Sequence, residues 1–406
     1  MVLLMPHYIS DFVKRLSKQY FFSPSIINRL AFWFGYPRTR DILSALKRPT
    51  SYYPIRVNTL KTTRANLMDL LEKLLNIEVK PHPLLTEAIL IPVKGPYKIP
   101  NRPKKVVAYK TAAEGVMRGA DLYAPGVREA DDNIEPNDEV VIVDKYGQKV
   151  GVGLAQLDSD QMLEHKKDKI AVKVTKSLYW IPHLRDTAPW NEGLFYQQTI
   201  PSMVTVHVLD PQPNEKILDM CAAPGGKTSH IAQLTKNKAK IIAVDHSSRK
   251  VKTLKQTLSR LGISRNIRIL RADSRKLDMK FREGFFDKVL LDPPCSALGI
   301  RPKLFDGTIE KNVVVSATYQ RGFLKSAVRL VCSGGRIVYS TCTIDPLENE
   351  LNIKFITDNF DVEVEEQKVI LGDTGLKIVD YYKFLQRFYP DIHDTPGYFI
   401  ASLRKR

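Results

Sequence analysis

The second half of the chain predicts an α/β fold built on a doubly wound, mostly parallel sheet, and three observations predict it. From about residue 190 short apolar runs recur: EKILDM, KIIAVD, IRIL, FDKVLLD and GRIVYS. They alternate with amphipathic stretches such as KVKTLKQTLSRLG. Runs that are apolar throughout read as strands covered on both faces, and the helix-period segments between them read as crossovers. The third observation lies at the run ends, which carry small, acidic or thiol residues. In such sheets ligands sit beyond the carboxyl ends of the strands.

Two other textures come first. From residue 8 to about 75 apolar residues recur at helical spacing in DFVKRLSKQYFF, PSIINRLAFWFG and RANLMDLLEKLLN, punctuated by Pro24 and Pro37. A short strand, Ile55 to Asn58, is predicted ahead of the last helix, with Thr62 and Thr63 as its possible caps. GPYKIPNRPKK closes this region near residue 103. Residues 104–178 then change to short β-branched runs, VVAYK, NDEVVIV, VGVGLAQL and IAVKVTKSL, the pattern of a small β-barrel. GVMRGADLYAPGV, between the first two, reads as one helical turn and a Pro125-Gly126 turn.

The length, 406 residues, suits two or three domains. No stretch approaches the roughly 18 apolar residues that span a bilayer, and no basic segment precedes the short apolar start. A cytoplasmic protein without membrane contact is expected. Four cysteines exclude a disulfide framework, and none has metal-site spacing, so no metal is expected. With 62 Lys+Arg against 44 Asp+Glu, the net charge of +18 points to a polyanionic partner, nucleic acid first. The excess divides as +10 over residues 1–103, −1 over 104–178 and +9 over 179–406. The middle segment's acidic run, Glu129, Asp131, Asp132, Glu135, Asp138 and Glu139, would repel phosphates and is expected on a solvated outer surface.

At the first run end stands Asp219-Met220-Cys221-Ala222-Ala223-Pro224-Gly225-Gly226-Lys227-Thr228. Small residues and two glycines allow close backbone approach to a ligand, and the following helix start offers amide N–H groups to an anion. Asp245, at the second run end, stands where a carboxylate takes ribose hydroxyls in this topology. Asp273 follows the third; it could accept from an adenine amino group or cap a helix, with Ser274 competing for the cap. The fourth run ends in Asp292-Pro293-Pro294-Cys295 and the fifth in Ser340-Thr341-Cys342-Thr343. Two cysteines therefore converge on one crevice. Cys332, near the end of a helix before Gly334-Gly335, reads as a packing residue, and Cys221 matters for its size.

Carbon 5 of a pyrimidine is a poor nucleophile until a thiolate adds at carbon 6 and breaks the ring's delocalisation. Asp292 is the natural group to manage charge on ring nitrogen 3, and nothing identifies the base that later removes the carbon 5 proton. Spacing does not rank Cys295 and Cys342.

The motifs CAAPGGKT (221–228), DPPCSALG (292–299) and STCTIDPLENE (340–350) resemble those of the Sun-type RNA cytosine-5 methyltransferases, as do SYYPIRVNTLKTTR (51–64) and TPGYFIASLRK (395–405). Residues 104–178, with RGAD (118–121), APGV (124–127) and VGVG (150–153), resemble a PUA domain. Together they resemble the PUA-containing subfamily that makes 5-methylcytosine near the 3′ end of the tRNA acceptor stem, at position 72. The resemblance implies a Rossmann-like methyltransferase domain over 179–406, the PUA domain at 104–178 and a helical, RRM-like RNA-binding region at 1–103. It implies S-adenosyl-L-methionine as cofactor and tRNA as partner, and a monomer is expected. By resemblance Cys342 is the nucleophile, Cys295 acts in product release, Asp292 contacts the cytosine and Lys227 reaches towards the site. The residues Cys221, Ala222, Ala223, Pro224, Gly225, Gly226, Lys227, Asp245, Asp273 and Asp292 form the cofactor shell. Lys61, Arg64, Arg102, Lys104, Lys110 and Arg118 are the expected RNA contacts. The same chemistry on ribosomal RNA, or an RNA-binding protein without catalysis, remain alternatives.

Overall fold

The computed structural model describes residues 10–406 apart from 165, 167, 168 and 264. Three helices open it: α1 (Asp11–Tyr20), α2 (Pro24–Phe34) and α3 (Tyr36–Leu46). Ser10 caps α1 by accepting from Val13 N–H, and Pro24 and Pro37 stand in the first turns of the next two, where a missing N–H costs nothing. Their apolar faces do not pack on one another alone. Val13, Ile26, Ile27 and Leu30 share a core with Leu298, Val313 and Ile344 of the second half.

Strand β1 (Tyr52–Val57), helix α4 (Arg64–Leu75) and strands β2 (Lys80–Pro81) and β3 (Ala88–Pro92) follow. Of the two threonines offered as caps, Thr63 takes the position and accepts from Asn66 N–H at 3.2 Å. β1 pairs with β3 on one side. On the other it pairs with a strand that the chain supplies far later, Ile55 to Val57 lying against Phe195 to Gln197.

Residues 104–177 form a six-stranded sheet from β4 (Lys104–Ala108), β5 (Leu122–Tyr123), β6 (Val127–Ala130), β7 (Glu139–Val143), β8 (Lys149–Ala155) and β9 (Ile170–Ser177). Two short helices, α5 (Lys110–Val116) and α6 (Ser159–Leu163), pack against it. Helix α5 precedes the RGAD segment that the sequence had marked for the helical turn. Leu304 and Phe305 from the second half enter this module's core, and Leu304 N–H donates to Glu114 while its carbonyl accepts from Gln148 Nε2. The module is thereby fixed to its neighbour by both apolar burial and directed bonds.

The second half contains α7 (Ala188–Asn191), β10 (Phe195–Gln197), α8 (Ile200–Leu209), β11 (Lys216–Asp219), α9 (Gly226–Leu234), β12 (Lys240–Asp245), α10 (Ser248–Leu261) and β13 (Ile267–Arg271). It continues through β14 (Phe286–Leu291), α11 (Glu310–Leu330), β15 (Val331–Thr341), α12 (Glu350–Asn359), β16 (Val362–Glu365), β17 (Asp373–Thr374), β18 (Gln386–Phe388) and β19 (Tyr398–Lys405). The sheet order is β13-β12-β11-β14-β15-β19-β18-β17, with β16 paired to β19. The first five strands are mutually parallel and β19 joins antiparallel. This is the doubly wound, Rossmann-like sheet, with the order reversing between β11 and β14. All five apolar runs of the sequence are strands of that parallel set. One local expectation changes: α11 ends at Leu330 and Cys332 is already inside β15, because Val331 turns extended without an intervening loop. Among the described residues no helix is long and apolar enough to cross a membrane.

Candidate active site

Asp292, the first residue beyond β14, is the hub of the site. Its Oδ2 accepts from Lys227 Nζ at 2.5 Å, and its Oδ1 accepts from Ser340 Oγ at 3.0 Å and from the Tyr398 hydroxyl at 3.4 Å. Four elements thus meet at one carboxylate: the end of β14, the first turn of α9, β15 and β19. Burial penalises the Lys227 ammonium, but the charge of Asp292 and the Tyr398 ring outweigh it and hold its pKa above the ordinary lysine range. Burial, reinforced by Asp292, pushes the Tyr398 phenol up to about 12. Lys227 and Tyr398 both keep their protons at this hub.

The two strand-end cysteines do converge. Cys295 Sγ lies 3.3 Å from Cys342 Sγ. The residues that follow them are also joined, Ser296 Oγ to Thr343 Oγ1 at 2.9 Å. The hydrogen bond to Cys342, followed by burial, pushes the Cys295 thiol well above the usual range. Burial pushes the Cys221 thiol up in the same direction.

The loop between β11 and α9 needs its glycines for two separate reasons. Gly225 adopts φ +110°, and a Cβ on Gly226 would stand 2.8 Å from the Tyr196 ring. Arg56 of β1, buried, donates to the Gly226 carbonyl and to Ser229 Oγ at 2.7 Å each, so the N-terminal sheet grips the start of α9. Burial lowers the Arg56 pKa to about 9. Asp219 accepts from Thr228 Oγ1 at 2.7 Å, and burial raises it to about 6.

A cavity of about 200 Å³ joins these parts. Cys221, Ala223, Asp245, Asp273, Asp292, Cys295 and Cys342 all line it, together with Lys250 and Tyr319. A nucleoside-sized group fits its lining: a buried carboxylate at Asp245, Cys221 and Ala223 of the loop, and an aromatic wall from Tyr319 and Phe323, whereas Ala222, Pro224, Gly225, Gly226 and Lys227 do not line it. Asp273 is the cap of the short helix after β13, accepting from Arg275 N–H at 3.0 Å and from the Arg275 guanidinium. Ser274 leaves the cap and donates to the Met220 carbonyl.

The six basic residues expected on RNA lie outside this cavity. Lys61 Nζ donates to the carbonyls of Glu192 and Arg260, and Arg64 donates to those of His82 and Leu85. Arg102 pairs with Glu139 at 2.7 Å, Lys104 with Asp138 at 2.5 Å and Lys110 with Glu114 at 3.4 Å. Arg118 donates to the Glu114 carbonyl and borders a larger cleft of about 520 Å³, where the N-terminal sheet, the six-stranded module and the second half meet. The acidic run of the module is exposed or half-buried, and two of its members are those partners of Arg102 and Lys104.

Sequence reasoning missed Ser340, Tyr398 and Glu348 as parts of the site. Ser340 stands at a strand end already singled out. Tyr398 comes from an antiparallel strand more than a hundred residues after Asp292, and no spacing rule connects the two. Among the described residues one His/Glu group, Glu87, His207 and His230, brings potential ligand atoms within 4.8 Å of one another at the seam between the N-terminal sheet and α8–α9. There Glu87 Oε1 lies 2.7 Å from His207 Nε2 and 3.1 Å from His230 Nε2, a carboxylate satisfied by two ring N–H groups.

Comparison with known proteins extends this geometry. The family model described as 16S rRNA methyltransferase RsmB/F matches residues 206–404, and the PUA domain model matches residues 104–178. A tRNA (cytosine(72)-C(5))-methyltransferase of Pyrococcus horikoshii is 43% identical over 378 residues, covering 92% of this chain and 94% of that protein. The tRNA (cytosine(72)-C(5))-methyltransferase NSUN6 of Mus musculus is 34% identical over 391 residues, covering 86% of this chain and 81% of its own length. The crystal structure of NSun6 from Pyrococcus horikoshii with SFG superposes with a TM-score of 0.87 at 41% identity, covering 95% of this chain and 98% of that one.

Proposed function

Because the chain belongs to the Sun-type (RsmB/F) RNA cytosine-5 methyltransferase family and carries its PUA domain, we propose that it is a tRNA methyltransferase acting on carbon 5 of cytosine 72. The observation that supports the reaction is the cavity in which Cys221 and Ala223 of the glycine loop, Asp292 and both thiols meet, with Lys227 held against Asp292 beside it. The substrate reading rests on relatives matched along nearly their whole length, PUA domain included.

S-adenosyl-L-methionine, when bound by the 221–226 loop, Asp245 and Asp273, supplies the methyl group on its sulfonium. The chain's own residues do the rest. Cys342 adds to carbon 6 as the thiolate, and the Cys295 S–H, whose raised pKa keeps it protonated, donates to it across the 3.3 Å gap. Asp292 receives the cytosine edge, and the Lys227 proton offsets the charge that develops on ring nitrogen 3. After methylation the carbon 5 proton leaves to a base, the ring double bond re-forms and the Cys342 Sγ–carbon 6 bond breaks. Cys295 is placed to serve that release.

We assign phosphate holding to the N-terminal and catalytic regions, which carry the positive excess, and end recognition to the nearly neutral PUA domain with Arg118 at the three-way cleft. Ribosomal RNA, named in the family description, is the second substrate reading. Replacing Cys342 with Ala abolishes methylation, whereas C295A accumulates RNA as a covalent adduct. A fully active C342A protein contradicts this mechanism. Bisulfite sequencing of RNA from cells with and without the protein separates tRNA from ribosomal RNA.

A further inference from the structure

Cys295 and Cys342 come from different strand ends, and something must hold their sulfurs at 3.3 Å. The backbone contributes one nearby bond, Gly299 N–H to the Cys342 carbonyl. Glu348 contributes more. Its Oε2 accepts from Ser296 N–H at 2.9 Å and from Gln320 Nε2 at 2.8 Å, and its Oε1 accepts from Ser296 Oγ. Ser296 follows Cys295 directly, and its hydroxyl meets Thr343, which follows Cys342. Gln320 also donates to the Pro294 carbonyl, so the residues on both sides of Cys295 are pinned through one carboxylate. The frame is itself fixed: the Tyr339 hydroxyl donates to the Glu348 carbonyl at 2.6 Å and lies 3.0 Å from Gln320 Oε1. Glu348, Gln320, Tyr339 and Thr343 are fully buried, and among the described residues no cation pairs with Glu348.

Keeping an unpaired carboxylate in the interior is costly, and burial pushes it up to about 7. A site whose only need was packing would gain from an apolar side chain here. We propose that Glu348 is a positioning residue for the release half of the reaction, holding the Cys295 loop in register with Cys342 so that the second thiol reaches the adduct. This rests on the covalent reading above. Glu348 does not line the reaction cavity and acts only through Ser296 and Gln320.

The geometry distinguishes position from charge. In Glu348→Gln the amide oxygen can take the place of Oε2, facing Ser296 N–H and Gln320, while the amide nitrogen donates to Ser296 Oγ, whose proton then turns to Thr343. The frame survives without the charge. Glu348→Ala removes both, and S296A removes one arm of the frame with a smaller change to the core.

The test uses the full-length protein, a tRNA transcript carrying cytosine 72 and methyl-labelled S-adenosylmethionine. Adducts are resolved on denaturing gels, and single and multiple turnovers are timed separately. For E348A the expected result is a methylated adduct standing about tenfold or more above wild type and a comparable fall in multiple turnover. Its single-turnover methyl transfer stays within about threefold and its affinity for S-adenosylmethionine is unchanged. S296A moves the same way to a smaller degree, and E348Q stays within about threefold of wild type throughout. Equal losses of methyl transfer and release, or loss of cofactor binding, in both E348A and S296A overturn the proposal in favour of a structural role. Wild-type behaviour of both, or an E348Q protein as impaired as E348A, overturns it as well. If C342A still forms adduct, the covalent reading itself has failed, an outcome separable from all of these.

Discussion

The Arg29 guanidinium grips both carboxylate oxygens of Asp345, with Nε and Nη2 each at 2.8 Å, three residues beyond Cys342. Its remaining nitrogen reaches Glu310 at 2.7 Å, and burial of the pair is nearly complete. An N-terminal helix thus fixes the loop that follows Cys342. Removing one partner of a buried pair leaves the other charge stranded at a cost of about 3–5 kcal/mol. R29M is therefore expected to lower the urea midpoint clearly and to slow adduct formation, whereas R29M combined with D345L recovers much of the stability. A single variant as stable as wild type contradicts this.

In the proposed mechanism Lys227, bound to Asp292, offsets the charge on the cytosine ring. Replacement by Met removes the donor while leaving the glycine loop and Asp245 in place. Methyl transfer should fall by about 10²–10⁴-fold, the usual range for a lost acid–base group, with affinity for S-adenosylmethionine changed only a few-fold. Isothermal titration beside single-turnover kinetics separates the two; an equal loss of binding would make Lys227 a cofactor ligand.

The Glu87, His207 and His230 group makes the seam sensitive to acid. Burial, with the nearby Arg56 charge, holds His230 down to about 3 although Glu87 pulls the other way. Burial would raise Glu87, but the two histidines outweigh it and hold it below the usual carboxylate range. Between pH 6.5 and 3 the unfolded chain binds a proton at His230 that the folded chain refuses, so stability falls as the pH drops through that window. The Glu87 contribution, complete above the ordinary carboxylate value of 4.5, is lost progressively as the pH falls below that value, so it adds to the decline in the lower part of the same window. One such proton changes the unfolding constant by up to about tenfold per pH unit. Urea midpoints from pH 7 to 4 should decline in the native protein and decline less in H230Q; parallel slopes rule the histidine out.

The logarithm of the affinity for tRNA should fall linearly with the logarithm of salt concentration. Arg102 and Lys104 are already neutralised by Glu139 and Asp138, so R102A/K104A is expected to change that slope by less than the roughly 0.9 per phosphate contact. A drop of roughly 0.9 per residue would place both cations on the backbone of the RNA.

The parallel sheet, its order of strands and the strand-end residues were legible because buried strands need unbroken apolar runs, and the topology puts ligands at their carboxyl ends. The convergence of Cys295 and Cys342 followed from that alone. What was hidden depended on contacts between distant segments. Tyr398 reaches Asp292 from an antiparallel strand, and Arg56 reaches the Gly226 carbonyl from another sheet. Charge along the sequence likewise could not tell which lysines have partners: Lys61 is an exposed cation that also donates to two carbonyls at a seam. Glu348 lay inside a quoted motif, yet only its hydrogen bonds reveal what it holds.

The pairing of Val57 with Phe195 bears on how the molecule is made. While the chain emerges, one edge of β1 waits for a partner that is synthesised only after the whole PUA module. If that module folds first, its compact body brings its own two ends together and shortens the effective loop that the late strand must close, lowering the entropic cost of completing the earlier sheet. The PUA module is then also a spacer in time, whose folding readies the N-terminal sheet to be finished and to hold the start of α9.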